Sequence, residues 1–274
     1  MTDRDTGGTG GTGGTSGTSG TGGMSGGGRW TVAGALLLAA MVALQVASGL
    51  SERPSAYTTA IVLVLAASAA CFTAARAGWR AAATALGGAV VIGYLAELAG
   101  VNTGFPFGAY HYTGLLQPQA AGVPLAVALA WGGMGLAAHA VAAAITAPGP
   151  ARIAVGAVAM TAWDLFLDPQ MLRMGLWVWH DPGPYRDVPL TNFAGWLLVS
   201  ALIMVLFERL LPEPGRALLA LYTTMAVMET LAFAAVFRPT DPLVAACGGL
   251  AMGGLAATAW IRTRTTRRSP AWQQ

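Results

Sequence analysis

From Trp30 onward the chain alternates long apolar runs of about 20 residues with short breaks carrying Arg, Pro or Gly. The runs lie near 30–50, 57–75, 81–99, 123–147, 151–172, 190–211, 215–237 and 241–261. Each is long enough to cross the hydrocarbon core of a bilayer as a helix, and most of the breaks suit hairpin connections. The pattern predicts an all-α fold, a polytopic integral membrane bundle of about eight transmembrane helices. Residues 1–28, almost entirely Gly, Thr and Ser after the first few, bury too little apolar area to offset the entropy of ordering and are expected to be a disordered extension. The transmembrane domain is expected over 29–262, with a basic cytoplasmic tail over 263–274. Ala47-Ser48-Gly49 resembles a signal cleavage motif, but the run before it is longer than a signal core, so the first span is expected to be retained.

The most informative interruption of the pattern is Trp163-Asp164-Leu165-Phe166-Leu167-Asp168-Pro169, two carboxylates within a spanning run. On insertion scales an aspartate at mid-membrane costs about 2.5 to 3.5 kcal/mol, against about 0.3 to 0.6 returned by each Leu or Phe. Spaced i, i+4, both acids lie on one helical face and can turn toward a polar cavity while the rest faces lipid. Such residues mark a functional site by default.

Charge sets the orientation of the bundle. All fifteen basic residues are Arg. Eight spans place 4, 29, 76, 80, 152, 209, 216, 262, 264, 267 and 268 on one side and 53, 173, 186 and 238 on the other, an eleven-to-four bias. The positive-inside rule then puts both termini in the cytoplasm and the protein in the cytoplasmic membrane. The net charge of +3 reflects this orientation, not nucleic-acid binding. Cys71 and Cys247 lie in apolar runs and read as small hydrophobes. With this topology Gln45, Glu97, Asp164, Asp168, Asn192 and Glu229 all fall in the outer half, and His139 in the inner half, so polar groups of five helices can converge on one outward cavity.

Two outer connections, Thr103 to Tyr112 and Trp177 to Tyr185, are rich in aromatic residues, Gly and Pro, and are expected to lie at the interface or fold back over the helices. Val123-Pro124-Leu125 precedes Trp131 as Val188-Pro189-Leu190 precedes Trp196, an echo consistent with a duplicated helical hairpin. In both copies Pro suits the first turn of an entering helix. A carboxylic acid desolvated by lipid can serve as a general acid, and aromatic faces stabilise a developing carbocation by about 0.5 to 2 kcal/mol per contact. Acid plus aromatic cage is a means of protonating an alkene; a second carboxylate that orients water turns the cation into a tertiary alcohol.

Glu97, Thr103-Gly-Phe-Pro-Phe-Gly-Ala-Tyr-His-Tyr112, Gly122-Val-Pro-Leu125, Trp163 to Met171, Gly175-Leu-Trp-Val-Trp179 and Val188-Pro-Leu-Thr-Asn-Phe-Ala-Gly-Trp196 together resemble the carotenoid biosynthesis integral membrane family. The resemblance covers about residues 85 to 210. It implies a hydro-lyase that adds water to the terminal isopropylidene group of an acyclic carotenoid, with membrane lipid and other enzymes of the pathway as partners. From the chemistry, Asp164 as the deepest acid is the candidate proton donor, with Asp168 or Glu97 orienting water. Tyr110, Tyr112, Trp163 and Trp196 are candidates for the cage, and His111 and Asn192 for polar contacts at its mouth. Each also has a structural reading: Asp168 before Pro169 can end a helix, Asn192 can bond between helices, and His111 can sit in water. Glu229 is a fourth candidate acid.

No cofactor and no metal ligand is expected. His111, His139 and His180 are too scattered for a di-iron oxygenase. A membrane prenyltransferase of the lycopene-elongase type would use aspartates to hold magnesium and diphosphate, but Asp164 with Asp168 is only half of such a site. A proton-coupled transporter would also place acids in the membrane. Reporter fusions are expected to place residues 76–80 and the C-terminus inside and the connection at Tyr185 outside; a cytoplasmic signal from that connection would contradict the assignment.

Overall fold

The computed structural model describes residues 26–268. The Gly-, Thr- and Ser-rich run, apart from its last residues at 26–28, and the end of the basic tail lie outside the described residues. The element order is α1 Gly26–Leu50, α2 Ser55–Ala77, α3 Trp79–Thr103, β1 Tyr110–Tyr112, β2 Gln119–Ala120, β3 Val123–Pro124, α4 Leu125–Ile145, α5 Pro150–Arg173, β4 Trp177–Trp179, α6 Leu190–Leu210, α7 Arg216–Leu231, a π turn Ala232–Val236, and α8 Pro242–Arg268. Eight helices among the described residues are long and apolar enough to cross a membrane, and the chain is a multi-pass membrane protein. The helices α1 and α8 run past the expected limits of 29 and 262. A helix satisfies its own backbone hydrogen bonds, so it need not stop where the apolar run does. Pro124 and Pro189 stand one residue before α4 and α6 in extended conformation, not inside their first turns.

Helix α4 runs through the middle of the bundle, touching α2, α3, α5, α6, α7 and α8, and every residue from Ala130 to Ala142 is buried. Small side chains make this possible. A Cβ at Gly133 would stand 2.9 Å from Cα of Ala66, so α2 and α4 meet nearly backbone to backbone, which is how helices gain packing energy where lipid offers no hydrophobic drive.

Polar groups divide between the two ends of the bundle. At the end holding the α4–α5 and α6–α7 turns, His139 Nε2 lies 2.8 Å from Glu208 Oε1, and Arg152 reaches both Glu208 (3.6 Å) and Glu213 (2.8 Å). The opposite end carries the long connections. There β1 and β4 pair antiparallel, Tyr110 opposite Trp179, His111 opposite Val178 and Tyr112 opposite Trp177. The two aromatic connections thus form one ribbon across the end of the bundle.

Asp241 ties this end to the last helix. Its carboxylate caps α8 through the Val244 N–H (3.2 Å) and pairs with Arg186 at 2.7 Å. Burial works against the charge, yet the Arg186 guanidinium and the Val244 N–H hold the Asp241 carboxyl below the usual carboxylate range. Asp241→Ala is expected to lower stability by about 1 kcal/mol through loss of the cap, read as an earlier thermal unfolding transition in detergent. Unchanged unfolding would show that the cap contributes nothing.

Candidate active site

Helices α1 to α7, the π turn and the β1–β4 ribbon enclose a cavity of about 340 Å³. It lies at the ribbon end of the bundle. The six polar residues assigned to the outer half divide simply: Gln45, Glu97, Asp168, Asn192 and Glu229 line the cavity, and Asp164 stands directly behind it.

Glu97, on α3, is held by three side-chain donors. It is buried and accepts the hydroxyls of Tyr110 and Tyr112 (2.7 Å) at Oε2 and the Trp131 indole N–H at Oε1 (2.9 Å). Two glycines on the same helix make this possible. A Cβ at Gly93 would come within 2.6 Å of the Trp131 ring, and one at Gly100 within 2.8 Å of the Tyr110 hydroxyl. Gly93, Glu97 and Gly100 fall at i, i+4 and i+7, so one helical face carries the acid with a hollow on either side for its donors. Burial and the neighbouring Glu97 push the Tyr110 hydroxyl pKa well up, so it remains a donor.

Asp164 and Asp168, on α5, share one donor: the Asn192 amide nitrogen bonds Asp164 Oδ2 at 2.7 Å and also Asp168 Oδ2. Asn192 stands in the first turn of α6, brought to α5 by helix packing. Asp164, the expected proton donor, is 0% exposed and does not line the cavity, whereas Asp168 does. The helical face that carries both acids meets the cavity at Asp168 and the α5–α6 seam at Asp164. Asp168 does not end its helix, because α5 continues through Pro169 to Arg173. Pro169 has no N–H to give the carbonyl of Leu165, four residues back. The Tyr185 hydroxyl supplies that bond at 2.9 Å.

Aromatic rings complete the walls. Trp163 meets Trp196 edge-on at 6.1 Å, and Trp131, which does not itself line the cavity, stacks on Trp196 at 4.1 Å, the two being the tryptophans of the sequence echo. Tyr110 packs on Trp179 at 5.0 Å and Tyr112 on Trp177 at 5.6 Å. Trp163, Trp196, Tyr110 and Tyr112 all line the cavity. His111 does not. Strand side chains alternate between faces, so with Tyr110 and Tyr112 turned inward His111 turns out, where its Nδ1 lies 3.0 Å from His180 Nε2. Trp177, Trp179 and Trp131 were not among the expected site residues. The alternation in Tyr-His-Tyr and Trp-Val-Trp is a strand signal that would have found the first two.

Among the described residues lining the cavity, none is Arg or His; the ionisable ones are the carboxyls of Glu97, Asp168 and Glu229 and the phenols of Tyr110 and Tyr112. Indole N–H groups of Trp163 and Trp179 are buried without a protein partner, as are Gln45 Oε1 and Glu229 Oε2. Such a chamber can donate and accept protons and can surround a cation with π-faces and carboxylates. It has nothing positive with which to hold an anion.

A helical membrane protein with a buried acid-and-aromatic chamber is the class that fold and site define. Residues 57–255 match the carotenoid biosynthesis protein family, and the chain belongs to it. It is 32% identical over 134 residues to the bisanhydrobacterioruberin hydratase of Haloarcula japonica, an overlap of 47% of this chain and 45% of that protein. The chain thus spans a little under half the length of that relative. No solved structure matches.

The Tyr185–Pro169 relation is open to a double-mutant test. Tyr185→Phe is expected to cost about 1 to 3 kcal/mol by leaving the Leu165 carbonyl unpaired. In a Pro169→Ala background, where an N–H returns to bond that carbonyl, the same change is expected to cost much less. Equal costs in both backgrounds, measured by thermal unfolding, would contradict the role given to Tyr185.

Proposed function

We propose that the protein is a carotenoid hydratase, adding water to the terminal isopropylidene double bond of an acyclic carotenoid end. The observation that carries this is the chamber itself: two separate carboxyl stations, Glu97 and the Asp164–Asp168 pair, among stacked aromatic rings with no basic residue in the wall. The kinship with a bisanhydrobacterioruberin hydratase supports the same chemistry. A volume of about 340 Å³ is at the small end for ligand sites and suits one end of a long polyene.

Asp168 is the proton donor in this mechanism. Two carboxyl groups bridged by one amide in an apolar surround are held more cheaply with a proton than as two charges. Asp168 delivers that proton to the CH carbon of the terminal double bond, and the electron pair of the π bond forms the new C–H bond. The dimethyl carbon is left as a tertiary cation, which Trp163, Trp196, Tyr110 and Tyr112 face. Water oriented by Glu97 and its tyrosines adds through oxygen to that carbon and gives up a proton to the carboxylate. Return of that proton to Asp168 completes the cycle, so the net change is alkene plus water to tertiary alcohol. Asp164 acts through Asn192 to position Asp168.

A prenyl transfer would instead need clustered acids to hold magnesium and diphosphate, and among the described residues no group of three or more His, Cys, Asp or Glu is placed to hold a metal ion, so the chamber favours a neutral substrate. Purified protein in lipid is expected to convert an acyclic carotenoid to its tertiary alcohol. Asp168→Asn is expected to lower turnover by about 10² to 10⁴, the usual contribution of a general acid, with Asp164→Asn lowering it less. Wild-type turnover in a well-inserted Asp168→Asn protein would remove Asp168 from the mechanism.

A further inference from the structure

The walls of the chamber differ in what lies behind them. Where the ribbon covers it, the lining residues Phe107, Tyr110, Trp177 and Trp179 are buried, so the end of the bundle is closed. Four lining residues are exposed: Val46 (49%), Leu50 (83%), Leu231 (52%) and Val236 (40%). All four are apolar, and all belong to two facing elements, the last turns of α1 and the end of α7 with its π turn. The opening is therefore on the flank of the bundle, bordered by side chains suited to lipid.

Two further observations point to a molecule passing there. Just inside the opening, Glu229 is buried yet makes no hydrogen bond or ion pair, and Gln45 has only the Met225 sulfur, 3.5 Å from its amide nitrogen. Unpaired polar groups are costly at a packing seam and suit a surface that meets a ligand. The lip is also where α7 departs from regular α geometry into a π turn, a distortion that recurs at functional sites.

We infer that the gap between α1 and the end of α7 is a lateral entrance, through which a long isoprenoid chain slides from the bilayer with its reacting end innermost. The inference rests on the hydratase reading for the identity of the chain. It gives α1, which lies outside the family match at 57–255, a share in the site: one jamb of the entrance. A polyene too long for the chamber then keeps its remaining length in lipid and never crosses water.

Gly49 packs against Val236 at this seam, so a long chain enters by parting α1 from the π turn there, and the entrance can be locked. A Cβ built at Gly49 lies 2.8 Å from Val236 Cγ1, the position a cysteine sulfur would take, which is within disulfide reach. The experiment uses Gly49→Cys/Val236→Cys in a chain with Cys71→Ala and Cys247→Ala, reconstituted in lipid vesicles, with polyene uptake read from its absorption shift. Oxidation is expected to slow uptake by at least about tenfold, as closure of a gate does, and reductant to restore it. Unchanged uptake in fully cross-linked protein would overturn the entrance. If the bond does not form, Val46→Phe/Leu231→Phe is expected to slow uptake similarly, and unchanged uptake there would overturn it equally. Uptake without hydration in the reduced protein would overturn the hydratase reading and leave the entrance standing.

Discussion

A carboxyl group buried in a membrane protein is costly unless it finds partners inside the bundle, because lipid offers none. Much of the architecture at the ribbon end follows from that demand. Glu97 needs three donors, so two glycines on α3 make room for Trp131 and Tyr110, and a strand delivers Tyr110 and Tyr112 together. Asp164 and Asp168 need a donor, so α6 is packed where Asn192 can reach both. Partnering fixes the positions of the groups, and fixed positions are what acid catalysis requires.

The same demand explains the ribbon. Trp177 and Trp179 stand opposite Tyr112 and Tyr110, so one strand braces the donors held by the other. Pro169 breaks the helix ladder next to Asp168, and Tyr185 from the same connection repairs it. The two connections therefore hold the acids of α3 and α5 in place and also close the chamber from above. The exposed part of the chamber wall is on the side, where α1 and α7 leave an apolar gap.

The helices were legible in the sequence because lipid imposes a simple rule of length and polarity, and each span lies within a few residues of its expected place. Convergence of Gln45, Glu97, Asp168, Asn192 and Glu229 was legible too, since topology gives each residue a depth. What depth cannot give is rotation about a helix axis: it made Asp164 the foremost acid, whereas the structure puts Asp168 on the chamber and Asp164 behind it. Pairing between distant segments was hidden for a related reason. His111 and Tyr110 look equivalent in a loop and become opposites only once β1 is known to pair with β4. Tyr185 carries no signal of its own, because its value depends on a carbonyl left free by a proline on another element.

The central claim is that this chamber adds water across a double bond by proton transfer. Its most direct test is turnover of an acyclic carotenoid by purified protein in isotopically labelled water. The account predicts that the new hydroxyl takes its oxygen from that water and that, in deuterium oxide, one deuterium appears on the carbon next to the alcohol-bearing one. A hydroxyl oxygen drawn from molecular oxygen, or a product without deuterium at that carbon, would contradict it.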